Sequence, residues 1–216
     1  MSEREQLSEL LRKINVTVAE EDLGKLLWFR DELLRWNRKI NLTAITDPYE
    51  ALEKHLVDSL LLLPYLRPDC HLLDMGSGGG FPCIPLKIAQ KSLWVWSVDA
   101  VAKKIAFQKH VGRKLKLEGF TPFHARLEDL PKQPGLPPFD LIVARAFASL
   151  EEIVLLAKPL LAPGGQVIAM KGADGLEEAT AAAQVMQEAG FTCKRTIPLQ
   201  LPQSRAERVL LFIGCS

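Results

Sequence analysis

Three glycines spaced two apart, Gly76, Gly78 and Gly80, separate an apolar run that reaches Met75 from another that starts at Phe81. Leu72, Leu73 and Met75 read as a buried strand, and the glycines that follow suit neither a strand nor a helix interior, so they form a tight turn. Apolar residues then resume at helical spacing. Pro82 and Pro85 fit near the start of that helix, where a missing backbone N–H matters little. A strand, a glycine loop and a helix make the first unit of a nucleoside-type site. Asp99 ends the next apolar run, Leu93 to Val98. It stands about 20 residues past the loop, where an acidic side chain meets a ribose hydroxyl pair. As a structural residue, Asp99 would instead cap the helix that follows.

Spacing separates the nucleoside readings. The dinucleotide fingerprint needs a small residue at its third position, and here that position is Phe81 or Cys83. A phosphate-binding P-loop needs Gly-Lys-Ser/Thr, which is absent. Gly76-x-Gly78-x-Gly80 fits the looser loop of methyltransferases that bind S-adenosylmethionine, where no pyrophosphate rests on the helix N-terminus.

The elements that position this loop fall into two parts. Residues 1–67 read as a helical extension. Leu7, Leu10, Leu11 and Ile14 form one amphipathic stripe, and Leu23, Leu26, Leu27, Leu33 and Leu34 a longer one. Thr17 with Glu20 predicts a capping box for the second helix, and Asp47-Pro48-x-Glu50 one for a third, which carries Leu52, Leu56, Leu60 and Leu63 and stops at Pro64. Asn41 and Thr43 sit in an aperiodic stretch and suit turn and cap positions. Residues 68–216 alternate strand and helix, with strands at 71–75, 93–98, 120–125, 139–144 and 165–170 and helices at 82–90, 101–117, 150–158 and 174–189. Such alternation implies a parallel sheet covered on both faces. Phe191–Pro198 and Arg208–Gly214 have no helix between them and predict an antiparallel hairpin at the sheet edge. The fold class is α/β, with the strand order of a class I S-adenosylmethionine-dependent methyltransferase (a Rossmann-like sheet with an antiparallel terminal hairpin).

Ligands of a parallel sheet lie outside the carboxyl ends of its strands. That places the candidates at Asp74 to Phe81, Asp99 to Val101, Arg126 to Asp129, Arg145 to Ser149, and Lys171. The fourth strand ends in Arg145-Ala146-Phe147-Ala148. This is not the Asn/Asp-Pro-Pro-Tyr/Phe segment of enzymes that methylate exocyclic amino groups. Cys83 and Cys193 lie in the loop and the terminal hairpin, not where RNA cytosine-C5 enzymes hold their nucleophile, and free cysteine is usually a small buried hydrophobe. Guanine N7 is the remaining kind of target: it has a free lone pair and no proton to remove. No general base is then needed, and catalysis reduces to alignment and exclusion of water. Arg145 is the positioning candidate, able to hydrogen-bond a guanine edge or the cofactor, and Phe147 could stack on a base. Ser149-Leu150-Glu151-Glu152 also reads as a helix cap, and a structural ion pair would explain Arg145 equally.

The chain bounds these readings. Its 216 residues are 48% hydrophobic, enough for a core, and no apolar run approaches a membrane span. The N-terminus lacks a signal-peptide pattern, so a cytoplasmic protein is expected. Four scattered cysteines suggest neither a zinc site nor a disulfide framework, and no metal is expected. A net charge of +1 means that a nucleic acid would be met by a local patch. The helix at 101–117 supplies one in Lys103, Lys104, Lys109, Arg113, Lys114 and Lys116, extended by Arg126, Lys87 and Lys171. The plain alternative is a solvated face.

Together these residues resemble the small-subunit ribosomal RNA guanine-N7 methyltransferase family, RsmG, also called glucose-inhibited division protein B. The resemblance runs through Trp36-Asn37-x-x-Ile40-Asn41-Leu42-Thr43, His55-x-x-Asp58-Ser59, Leu73-Asp74-x-Gly76-Ser77-Gly78-Gly79-Gly80-Phe81-Pro82-x-Ile84-Pro85-Leu86, Arg145-Ala146-Phe147-Ala148-Ser149-Leu150 and Met170-Lys171-Gly172. It implies that Gly76, Phe81, Leu127, Glu128 and Arg145 bind S-adenosylmethionine, with Asp99, Ala100 and Val101 beside them. It implies as substrate a guanine in the decoding-region loop of 16S ribosomal RNA, as naked RNA or in the small-subunit particle, and makes Asn41, His55 and Asp58 site-lining residues. Cys83 stands where the family usually has Gly, and Ser77 where it often has Thr. Two other readings keep the fold: a methyltransferase of a small metabolite or protein, which loses the basic patch, and a nucleoside-binding regulatory module without catalysis.

Overall fold

The computed structural model describes residues 2–216. The chain opens with helices α1 (Glu3–Lys13) and α2 (Glu20–Asn37). Ser2 caps α1 with a capping box: its Oγ accepts from the Glu5 backbone N–H, and its own N–H is donated to the Glu5 carboxylate. The box predicted at Thr17 and Glu20 does not form. The N-cap of α2 is Ala19, with no side-chain hydrogen bond, and Glu20, Glu21 and Asp22 in the first turn complement the helix dipole instead. A third helix, α3 (residues 48–60), starts where Asp47 accepts from the Glu50 N–H. It widens into a π-helix over Leu52–Val57 and closes as α over Asp58–Leu60. A short 3₁₀ turn, Leu63–Tyr65, contains Pro64.

The second part alternates as expected: β1 (His71–Met75), α4 (Cys83–Ala89), β2 (Trp94–Asp99), α5 (Ala102–Leu115), β3 (Phe120–His124), a 3₁₀ segment at Leu127–Lys132, β4 (Phe139–Arg145), α6 (Leu150–Ala157) and β5 (Leu161–Lys171). The last strand of that series starts four residues earlier than predicted. The helix expected over 174–189 is two, α7 (Gly175–Ala181) and α8 (Ala183–Glu188), meeting at the buried Ala182. The hairpin β6 (Phe191–Gln200) and β7 (Glu207–Cys215) completes a seven-stranded sheet of order β3-β2-β1-β4-β5-β7-β6. Strands β1 to β5 are parallel to one another, and β7 is antiparallel to both β5 and β6.

Side chains alternate across this sheet and build two cores. Leu72, Val95, Leu141, Val143, Ile168, Leu210 and Phe212 face α1 to α5, where Leu26, Phe29, Leu33, Leu56 and Phe107 meet them. The helical extension therefore shares its core with one face of the sheet. Leu73, Met75, Ile142, Val167, Ala169 and Leu211 face the 3₁₀ segment and α6 to α8. One buried ion-pair cluster joins the first two helices, and one buried carboxylate ties the extension to the rest of the chain. The buried Arg30 reaches Glu3 and Asp31, and the buried Glu53 accepts the Gln203 and Ser204 N–H groups of the β6–β7 turn. No helix among the described residues is long and apolar enough to cross a membrane.

Candidate functional site

The glycine loop leaves the carboxyl end of β1 with Gly76, Gly78 and Gly80 at φ of +68°, +55° and +91°, a left-handed region where side chains are strained. Space is also closed at Gly76: a Cβ there would lie 2.2 Å from Cδ2 of Phe147. Asp99, at the end of β2, accepts from the Gly78 N–H at 3.0 Å and the Val101 N–H at 2.8 Å, with the Lys104 ammonium 3.6 Å away. It thus ties the loop to the start of α5 while its carboxylate edges a cavity. Beneath the loop, the fully buried Gln108 donates to Ser77 Oγ and the Gly78 carbonyl and accepts from Ser97 Oγ, each within 2.8 Å. Sequence reading missed Gln108. Its one signal was an uncharged polar residue on the apolar face of α5, three residues from both Ile105 and Val111.

The cavity beside the loop measures about 410 Å³ and is lined by Gly76, Asp99, Ala100, Leu127 and Glu128, together with Val98, Lys104, Ala125, Arg126, Ala146, Phe147 and Glu152. Lys104, Arg126 and Phe147, expected on the RNA side, stand here instead. Val101 contributes its N–H to Asp99 and exposes its side chain. Asp74 and Phe81 lie under the loop and line neither this cavity nor the next. Asp74 accepts from the Cys83 N–H through Oδ2, while its buried Oδ1 has no partner among the described residues. Burial pushes its carboxyl up to about 7, even though the Cys83 donors and the Arg145 cation pull the other way. The fully buried Cys83 thiol is raised well above its ordinary value, also mainly by burial.

A second cavity of about 300 Å³ adjoins the first through Ala146, which lines both and adopts φ +48° just beyond β4. Its polar walls are Arg145, Asp58, Arg208, His55, Lys54 and Lys171, and its apolar walls include Ile45 and Met170. Arg145 Nη1 donates to Asp58 Oδ2 at 3.0 Å and to the Lys54 carbonyl at 3.2 Å, and its guanidinium lies 5.1 Å from the Phe81 ring centroid. Arg208, from β7, donates through Nε to Asp58 Oδ1 at 2.7 Å. Asp58, 3% exposed, thus bridges two arginines. His55 stacks on Phe81 with centroids 4.5 Å apart and shares a 2.7 Å hydrogen bond with Thr43 Oγ1. Burial, followed by the nearby Arg145 charge, holds its imidazole down at about 3, so it is neutral. Lys171 donates to the Ala148 carbonyl at 2.7 Å and to Glu178 at 2.9 Å, which fixes the loop after β4.

Asn41 is exposed and lines neither cavity. The turn chemistry of its segment belongs to Asn37, whose side chain accepts from the Leu42 and Thr43 N–H groups and donates to the Thr43 carbonyl. Along α5, Lys104 pairs with Asp99, and His110 shares a 2.7 Å hydrogen bond with Glu32. Lys103, Lys109, Arg113, Lys114 and the C-cap Lys116 remain exposed, without an ionic partner among the described residues. Lys87 is not part of this patch: it is buried and donates to the Lys91 and Leu93 carbonyls.

The solved structures similar to this one include a S-adenosylmethionine-dependent methyltransferase from Aquifex aeolicus, with a TM-score of 0.59 at 17% identity, covering 86% of this chain and 98% of that one. Another is a ribosomal protein L11 methylase from Lactobacillus delbrueckii subsp. bulgaricus, with a TM-score of 0.57 at 18% identity, covering 80% and 81%. At that identity they show the fold, the class I methyltransferase sheet. Sequence relatives are much nearer. A ribosomal RNA small subunit methyltransferase G from Syntrophotalea carbinolica is 48% identical over 208 residues, 96% of each chain. One of the same name from Geobacter sulfurreducens is 46% identical over 96% of this chain and 95% of its own. The family model for rRNA small subunit methyltransferase G matches residues 22–206, and the chain belongs to that family.

Proposed function

We propose that the protein transfers a methyl group from S-adenosylmethionine to N7 of a guanine in the 16S ribosomal RNA of the small subunit. The observation that carries this reading is the meeting of two unlike cavities at Ala146, one edged by the glycine loop and Asp99, the other by two arginines. The first fits the cofactor: Gly76 and Phe147 line it side by side, with the ring packed where a Gly76 Cβ would stand, and Asp99 presents a fixed acceptor for ribose hydroxyls. Asp99, Ala100, Leu127 and Glu128 would hold the nucleoside portion, with Lys104 and Arg126 at its rim. S-adenosylmethionine, when bound, supplies a methyl group on a sulfonium that a lone pair can displace.

The chain's own residues then have to position the base and exclude water. N7 carries its lone pair without a proton, so the attack is direct and in line and needs no general base. Arg145 sits at the junction with its Nη1 fixed by Asp58 and the Lys54 carbonyl, and it serves as a positioning residue. The unpaired cations of α5 offer sequence-independent contacts to RNA phosphates. The test is to map N7-methylguanine in ribosomal RNA from cells with and without the gene, and to restore the missing mark with purified protein and S-adenosylmethionine on naked RNA and on small-subunit particles. Unchanged marks in the deletion strain would refute the assignment.

A further inference from the structure

Resting on the reading that a guanine is the target, we infer that the cavity lined by Arg145, Asp58 and Arg208 is the pocket for that guanine, and that Asp58 reads its Watson–Crick edge. Guanine presents in order around its ring the N7 lone pair, the O6 acceptor, the N1–H donor and the N2 amino donor. The cavity holds groups that can match them. Ala146 stands at the junction with the cofactor cavity, Arg145 immediately precedes it, and Asp58 lies one hydrogen bond farther, 3.0 Å from Arg145. With N7 at the junction, O6 faces a guanidinium that can only donate, and N1–H and N2–H face a carboxylate that can only accept.

The supporting contacts suit that task. Arg145 uses Nη1 for both of its hydrogen bonds, so its other nitrogens have no partner among the described residues. Asp58 accepts one donor on each oxygen, Arg145 on Oδ2 and Arg208 on Oδ1, and each oxygen keeps a further lone pair. Two guanidinium groups flank the buried carboxylate, and the neutral His55 adds no third positive charge. Ile45 and Met170 supply apolar surface for the ring faces. Adenine would be refused twice: its exocyclic amino group would meet Arg145 donor to donor, and its unprotonated N1 would meet the Asp58 carboxylate. Unpaired polar groups of this kind discriminate more strongly than lost apolar contact.

The experiment replaces the target guanosine, once mapped, by inosine or xanthosine in 16S RNA, and measures kcat/KM for methyl transfer to naked RNA and to reconstituted subunits. Inosine lacks only the N2 amino group, so the wild-type protein should use it about tenfold less well or worse, the loss expected for one hydrogen bond to a charged acceptor. This arm needs no variant and does not depend on the folding of one. In Asp58→Asn, one acceptor becomes a donor, which suits the C2 carbonyl of xanthine, so the xanthosine-to-guanosine ratio should rise about tenfold or more over wild type. Equal wild-type rates on guanosine and inosine would overturn the assignment of Asp58 while leaving N7 methylation intact. So would an Asp58→Asn variant that is slower on every base with unchanged ratios, since Asp58 would then only hold the arginines. If the wild-type protein does not methylate guanosine at N7, this inference and the function it rests on both fail.

Discussion

Replacing Asp74 by asparagine should expose a pH-dependent loss of stability that Asp74 and His55 cancel between them in the wild type. Burial raises the Asp74 carboxyl from 3.8 to about 7, whereas burial and the Arg145 charge lower the His55 imidazole from 6.5 to about 3. Between pH 4.5 and 6.5 the folded chain therefore holds a proton on Asp74 and none on His55. The unfolded chain does the reverse. Both states carry the same number of protons in this pair, so the two slopes cancel. His55 alone stabilises the fold less and less as pH falls from 6.5 toward 3. Asp74 alone does the opposite, because its favourable protonated state is lost as pH rises through 7. In Asp74→Asn only the histidine slope survives. One proton is worth about 1.4 kcal/mol per pH unit, and with His55 half titrated at the upper limit in the unfolded chain, stability should fall by about 2 kcal/mol from pH 6.5 to 4.5. His55→Gln should show the mirror image, gaining stability over the same interval. Glu3, Glu9, Glu21 and Glu32 are all held below their ordinary 4.5, so they begin to lower stability toward the acid end of this window, equally in wild type and variant, and the difference between the two profiles isolates the pair. Urea unfolding at pH 4.5, 5.5 and 6.5, with m-values checked for constancy, measures the three profiles. Parallel profiles for wild type and Asp74→Asn would refute the idea that folding moves a proton from His55 to Asp74.

Gly76→Ala should lose S-adenosylmethionine binding by calorimetry and about 1–3 kcal/mol of stability, because its Cβ meets Phe147 at φ +68°. Adding Phe147→Ala should recover only the steric part of that stability. Lys103→Ala, Arg113→Ala and Lys114→Ala should each weaken RNA binding and reduce the salt slope by about one unit, while Arg126→Ala, at the cofactor cavity, should lower cofactor affinity and leave that slope intact. Equal slopes throughout would make α5 a solvated face. Cys83→Ala should keep methyl transfer, since burial holds the thiol protonated, and should lower stability by about 1 kcal/mol. A covalent RNA adduct that disappears in this variant would instead indicate nucleophilic catalysis.

What the sequence disclosed and what it hid follow from the range of the interactions. The glycine loop, the alternation of strands and helices and the acidic end of β2 are local patterns, set by backbone sterics and side-chain period, and they were readable residue by residue. Arg208 was not. It meets Asp58 across 150 positions of chain, and only the antiparallel return of β7 beside β5 brings them together. Glu152 was read as a cap residue, and its N–H is indeed held by Ser149 Oγ, but the same residue also lines the first cavity. Thr17 shows the opposite failure, a correct local spacing left unused because α2 starts at Glu20 itself. Lys87 had the right charge for the basic patch, yet the side chain folds inward onto two carbonyls, a choice that packing makes and composition does not.

The π-helical stretch in α3 has a consequence for what this chain tolerates in length. An α-helix turns by about 100° per residue, so a segment that holds one residue more per turn shifts the angular phase of everything after it. Glu53, near the start of that stretch and buried against the β6–β7 turn, and Asp58, just past its end and buried between Arg145 and Arg208, have most of that shift between them. Deleting a residue between them, such as Lys54, would let the helix rewind to α without changing its hydrophobic character. The phase would then slip, and the carboxylate that joins the two arginines would swing away from them. The residue count of this helix between positions 53 and 58 is thus fixed by the need to satisfy both ends at once.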